Sequence, residues 1–175
     1  MVIFDFPALR QTFNYDCGAI VLEAVLAYYG IEIREDHIIK QAKTSKNGTP
    51  IEGIVAVAKT CGLKCQSKKM KLTELKTYLK QKIPVILVLQ AWTAKQKINW
   101  NKDWDDGHYV VAIGYDRSRI YFHDPSSFKY TYLTITELTQ RWHDVAADGK
   151  KYFNHGIAVF GKKPVFSLKS VEHMG

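Results

Sequence analysis

The sequence predicts an α+β domain in which one buried helix packs on an antiparallel sheet, and three observations predict it. Residues 16–29, "DCGAIVLEAVLAYY", have the length of a helix and, past Asp16, carry a single charge, Glu23. A helix apolar on nearly every side must be enclosed by other elements. Helix-like segments fill the chain before Pro84, and β-rich runs fill it afterwards. Helices followed by strands indicate α+β rather than alternating α/β architecture.

Each element has its own local signal. The first helix is expected to be capped by Asn14 or Asp16 and stopped by Gly30. Residues 35–44 and 51–60 read as shorter helices, the second set between Pro50 and Gly62. Residues 73–81 read as another, with Thr73 as cap. "PVILVLQ" is a continuous apolar run of strand length. "HYVVAIGYD" and "RIYFHDP" flank a short polar turn and read as a hairpin. "KYTYLTI" alternates as a strand should, residues 134–142 read as a helix capped by Thr134, and "GIAVFGKK" reads as a closing strand. The expected organisation is one domain over 1–175, with a helical half to about 82, a sheet half over 83–163 and a tail over 164–175.

Composition narrows the class. Of 175 residues, 46% are apolar and 24% charged, the balance of a globular protein large enough for a core without staples. Three scattered cysteines do not make a disulfide framework, and the N-terminus lacks the pattern of a signal peptide. The longest apolar run, "VILVL", is too short to span a bilayer. The expected location is the cytoplasm, or a secreted or periplasmic one if a signal segment has been trimmed from the chain. The net charge is +8, and over residues 59–82 eight lysines face only Glu74. Such a field suits an acidic peptide, but no zinc-finger spacing or arginine-rich arm accompanies it, which argues against nucleic acid.

The chemistry starts at Cys17. It opens the buried helix, where the partial positive charge and free N–H groups favour a thiolate. Gly18 follows it and leaves room for an approaching carbonyl. The competing reading is a small buried hydrophobe, which is what Cys61 and Cys65 look like. Cys61 and Cys65 lack two further ligands for zinc, so no metal site is expected. A thiolate needs a base, and among the histidines His108 sits best, at the start of a strand after "DDG". His123 in the facing strand is its competitor; His37, His143, His155 and His173 read as surface residues.

Asp124 is the candidate to orient the imidazole. A hairpin turn over 117–119 would pair Asp116 with Ile120 and put His108 and Asp124 on one face. A two-residue turn would put them on opposite faces, and Arg117-Ser118 lacks the Gly or Asn such a turn prefers. Gln11 is placed to complete an oxyanion hole with the Cys17 N–H. The long polar loop after "PVILVLQ" carries Trp92, Trp100 and Trp104, which either line a groove or cover the core edge.

The combination Gln11-x5-Cys17-Gly18, an apolar helix ending "YYG", then "GHYVVAIGYD" and "IYFHDP", resembles the bacteriocin-processing, double-glycine leader peptidase family and its papain-like relatives. The order of elements agrees from residue 6 to about 145. The resemblance implies a papain-like fold and a cysteine peptidase without cofactor. It implies Cys17 as nucleophile, His108 as base and acid, Asp124 as orienting acid and Gln11 as oxyanion donor. Gly18, Gly107, Trp92 and Trp104 are then candidates to contact a peptide or protein substrate cleaved after small residues. Association with a transporter or secretion system follows from the same resemblance. A thiol-dependent amidase or transpeptidase, and a non-catalytic peptide-binding domain of the same fold, are the alternatives.

Overall fold

The structure, a computed structural model, describes residues 1–171 and 173–175. In chain order the elements are β1 (Val2–Ile3), α1 (Cys17–Tyr28), α2 (Glu35–Gln41), α3 (Ile51–Thr60), β2 (Lys64–Lys69), α4 (Leu72–Lys80) and β3 (Val85–Gln90). Then come β4 (Gly107–Tyr115), β5 (Arg119–His123), β6 (Thr131–Thr134), α5 (Ile135–Arg141), β7 (His143–Val145), β8 (Lys151–Phe153) and β9 (His155–Phe160). Seven strands form one antiparallel sheet in the order β2-β9-β3-β4-β5-β6, with β1 added along β4, while β7 and β8 pair by themselves.

α1 is enclosed as its composition requires: between Cys17 and Tyr28 every residue is buried except Glu23 and Ala27. The burial also pushes the Glu23 carboxyl up. Tyr28 packs on Phe4 and Phe6 with ring centroids 5.5 and 5.2 Å away, and its hydroxyl donates to the Lys82 carbonyl. The Tyr29 hydroxyl reaches the Val159 carbonyl at 2.7 Å, so the aromatic end of the helix is pinned to the sheet. Gly30, at φ +72°, supplies the left-handed residue that ends it, and Ile31 N–H bonds back to Leu26.

Two caps differ from expectation. Asp16 holds the N-cap position of α1, but its side chain makes no capping bond and turns away from the helix. α4 starts at Leu72, which leaves Thr73 inside the first turn rather than before it. Thr134 does cap α5, in a reciprocal capping box with Glu137. The sheet also draws β1 from the mainly helical half, and the lysine-rich run around Cys65 is a strand, as its sequence reads, with Cys65 paired to Val159.

The hairpin is the instructive departure. Tyr115 pairs with Ile120, and Asp116 N–H bonds to the Arg119 carbonyl, so the turn holds only Arg117 and Ser118. By parity alone, that tight turn would have separated His108 from Asp124. A β-bulge between Ala112 and Gly114 then shifts the register by one, so that Val111 faces His123. One extra residue restores the face that the turn had reversed. The bulge falls where β4 exchanges its partner β3 for β1, and Phe4 N–H takes the Ile113 carbonyl. Gly114 is needed there, because a Cβ would lie 2.3 Å from the Val2 carbonyl oxygen.

Candidate active site

Cys17 is the first residue of α1. The intrahelical ladder begins with Ala19 and Ile20 N–H donating to the Asp16 carbonyl, so the N–H groups of Cys17 and Gly18 stand ahead of it. Across from them β4 presents His108, whose Nε2 lies 2.8 Å from Asp124 Oδ1. With Nε2 engaged, Nδ1 is the nitrogen left for Cys17. Cys17 is 8% exposed and His108 7%, so the pair meets solvent only through the cavity it lines.

Burial works against a charge on His108. Yet hydrogen bonds to Asp124 and Cys17, with the negative charge of each, push its pKa up to about 9. Burial likewise opposes a charge on Asp124, but the His108 ring, the Ser126 N–H and the Trp92 indole hold its carboxyl below the usual range. The opposite directions are those of an ion pair. His123, the competing base, instead packs on Phe6 at 5.6 Å, and burial lowers it to about 4.

The loops behind the pair are tied together. Ser126 donates its N–H to Asp124 Oδ1 and its hydroxyl to Gln11 Oε1, and Gln11 N–H takes the Pro125 carbonyl. Gln11 Nε2 donates to the Phe13 carbonyl at 2.7 Å, within its own loop. That loop is folded around the fully buried Asp16, whose Oδ2 accepts from Thr12 and Phe13 N–H at 3.2 and 2.9 Å. Asp16→Ala removes two hydrogen bonds that fold the loop and is expected to destabilise the protein by about 1–3 kcal/mol. Thermal unfolding checks it, and a loss below 1 kcal/mol, on the order of one neutral bond, would contradict this account.

The remaining candidates separate. Gly107 and Trp104 line the same cavity as Cys17 and His108, a space of about 400 Å³. Trp92 lies on the far side of Asp124: its indole donates to Asp124 Oδ2 at 2.9 Å while 61% of the residue is exposed. It lines a second cavity, of about 260 Å³, together with Asp124. Trp100 sits under the Arg141 guanidinium, 3.9 Å from its ring centre. The open face of Gly18 is filled by protein, because a Cβ there would be 2.6 Å from Thr49 Cβ and 3.0 Å from Tyr109 Cδ2. Its lack of a side chain therefore lets α1 approach its neighbours closely.

Two histidines read as surface residues are not on the surface. His143 is buried, with Nε2 2.7 Å from the Asp103 carbonyl and its ring 4.5 Å from Trp104. His155 is half-buried beside the Ser67 hydroxyl. His143 lies in β7, whose three residues carry too little alternation to be recognised, and His155 is the first residue of β9, one position before the run that reads as a strand. Asp144, which lines the cavity, and Gln90, which donates to it from behind, have little or no signal in the sequence. Gln90 is the polar end of an otherwise apolar strand, a faint signal, whereas Asp144 in "RWHDV" has none.

Known proteins share this fold. The peptidase domain of Streptococcus ComA, a bi-functional ABC transporter involved in a quorum sensing pathway, superposes with a TM-score of 0.68 at 24% identity. The match covers 91% of this chain and 99% of that domain. A double glycine motif protease from an AMS/PCAT transporter, in complex with the leader peptide, superposes with a TM-score of 0.65 at 18% identity, covering 94% of this chain and 95% of that one. In sequence, the transport/processing ATP-binding protein ComA of Streptococcus pneumoniae is 28% identical over 136 residues. This match covers 77% of the chain but only 17% of the transporter. The sequence profile described as the Peptidase C39 family matches residues 5–151, a span that contains Gln11, Cys17, His108 and Asp124. The fold is the papain-like fold of cysteine peptidases, and the chain belongs to the peptidase C39 family.

Proposed function

We propose that this protein hydrolyses peptide bonds with Cys17 as nucleophile, His108 as base and then acid, and Asp124 as the group that orients the ring. The observation that carries the reading is the buried line from Cys17 through His108 to Asp124, with the His108 proton held well past neutrality. The Cys17 sulfur attacks the scissile carbonyl, and His108 gives its proton to the departing amine, leaving a thioester. Water then adds with His108 as base, and the thiol returns. The oxyanion is met by the Cys17 N–H and by Gln11, whose amide must first leave the Phe13 carbonyl. Gly107 and Trp104 flank the bound chain, while Trp92 acts on Asp124 from behind. Membership of the peptidase C39 family favours small residues before the cleaved bond.

The lysines of β2 and α4 support a second part of the proposal. β2 is an edge strand with four exposed residues in a row, Gln66–Lys69, and among the described residues only Lys68 of its lysines pairs with an acid, Glu74 at 2.5 Å. An acidic leader or partner protein would dock there, as part of a transporter or secretion assembly. Peptides with a glycine pair before the bond, incubated in 18O-water, test the chemistry. The expected result is one product carrying a single 18O in its new carboxyl group, absent in Cys17→Ala. Transfer to an added amine without 18O uptake would instead establish an acyl transferase. Intact peptide throughout, under conditions where Cys17 alkylates readily, would favour a binding domain.

A further inference from the structure

The cavity beside Cys17 is far larger than a glycine side needs, and its walls have a definite chemistry. At about 400 Å³ it falls within the size range of pockets that enclose a ligand group, about 300–1,000 Å³. Val88, Tyr109, Trp104 and Tyr152 supply apolar surface, and no lysine or arginine is among the residues that line it. Asp144 is part of the lining, close against Gly107, the residue that precedes His108. A Cβ on Gly107 would meet Asp144 Oδ1 at 2.5 Å and Oδ2 at 2.9 Å.

Asp144 is held rather than neutralised. Gln90, fully buried, donates Nε2 to Asp144 Oδ1 at 2.9 Å and accepts the Asp106 N–H on Oε1. The same Nε2 also reaches the His143 carbonyl at 3.2 Å, so the amide has one orientation available. Among the described residues no lysine or arginine pairs with Asp144, whereas Asp105 is taken by Lys95 and Glu52 lies 3.8 Å from Lys150. Burial pushes the Asp144 carboxyl up to about 6, a penalty on its charge that an incoming cation would relieve. A partly buried carboxylate with a fixed amide behind it and apolar walls in front lacks one thing, a cation on a hydrocarbon stem.

We infer that this cavity takes the side chain of a lysine or arginine in the peptide substrate, at one fixed position near the cleaved bond, with Asp144 as the selecting residue. The inference rests on the peptidase reading, because the pocket matters only for a chain held at Cys17. In a protein whose net charge is +8, the cavity is lined by Glu52, Asp105, Asp144 and Asp148 and by no lysine or arginine, although Lys150 and Lys151 stand over the Tyr152 and Trp104 rings. The cavity discriminates by pairing: lysine satisfies Asp144, while an uncharged side chain of equal length buries the carboxylate unpaired.

The test uses N-acetylated peptides ending in an acyloxymethyl ketone. Lysine or norleucine is placed at one position at a time, and Cys17 alkylation is followed by intact-protein mass spectrometry. At one position lysine is expected to react faster than norleucine by about tenfold or more, a ratio that falls toward unity in Asp144→Asn and survives in Asp144→Glu. Equal wild-type rates at every position, with alkylation still dependent on His108, overturn the inference and leave the peptidase reading standing. The wild-type ratio decides this even if Asp144→Asn does not fold. A lysine preference that persists in folded Asp144→Asn removes the assignment to Asp144. A preference for free amino termini over acetylated ones assigns the pocket to an α-amine and overturns the side-chain proposal. No reaction at Cys17 with any of these probes defeats both.

Discussion

Replacing His108 by alanine is expected to lower kcat/KM by at least about 10⁴-fold and to slow alkylation of Cys17 by iodoacetamide near pH 6. The ring is the partner that favours the thiolate, and its proton is held to about pH 9 by Asp124 and Cys17 against the cost of burial. Without it the sulfur loses both its counter-ion and its proton carrier, leaving only the helix terminus and the cavity. Cys61 and Cys65 serve as internal controls. Burial raises both thiols, that of Cys65 to about 11, although nearby lysines pull the other way. At pH 6 they should label slowly in wild type and variant alike. Peptide mapping of the alkylated protein reads all three sites, and a Cys17 rate unaffected by the substitution would refute the pairing.

Asp124 should show the next largest effect. Asp124→Ala is expected to reduce kcat/KM by about 10²–10⁴-fold, because the ring loses its orienting acceptor. The pH profile gives a sharper readout. A histidine whose pKa is raised keeps its proton below the raised value and loses it as pH climbs through it. The basic limb of kcat/KM in wild type therefore falls near pH 9. Removing the Asp124 charge moves that limb toward lower pH. Asp124→Asn should lie between wild type and alanine: its carbonyl can still accept from His108, while its amide then faces the Trp92 N–H that now donates to Oδ2. Two donors cannot face each other, so Trp92 should shift outward, which a red shift of tryptophan emission would report. An unchanged basic limb in both variants would mean that Asp124 does not act through His108.

Much of the fold was readable because it rests on local chemistry. α3 runs from Ile51 to Thr60 as Pro50 and Gly62 imply, and the capping box places α5. The apolar run over β3 is buried at every position. What failed was either short or decided elsewhere. β1, β7 and β8 have only two or three residues each; β1 exists through its pairing with the distant β4, while β7 and β8 pair only with each other. Asp16 looks like an N-cap, yet its side chain serves the loop before it, where it accepts the Thr12 and Phe13 N–H groups.

The candidate site divides along the same line. Cys17, His108, Asp124 and Gln11 could be named from the types of group that thiol chemistry requires and from their places at a helix start, a strand start and two loops. Whether His108 and Asp124 share a face could not be read locally. A two-residue turn and a single-residue bulge each reverse the parity, and only their combination, set by β4 passing from β3 to β1, brings the two together. The three loop tryptophans were equivalent as sequence, but folding sends Trp104 into the Cys17 cavity, Trp92 onto Asp124 and Trp100 under Arg141. Asp144 has no signature, since its meaning lies in Gln90 behind it and Gly107 beside it. The sequence by itself determined which reactive groups exist and which helices and strands carry them, because those depend on residue type and short-range periodicity. Register, cavity and the partners of buried charges belong to the tertiary structure, because one residue of shift between strands far apart in the chain redirects every side chain that follows.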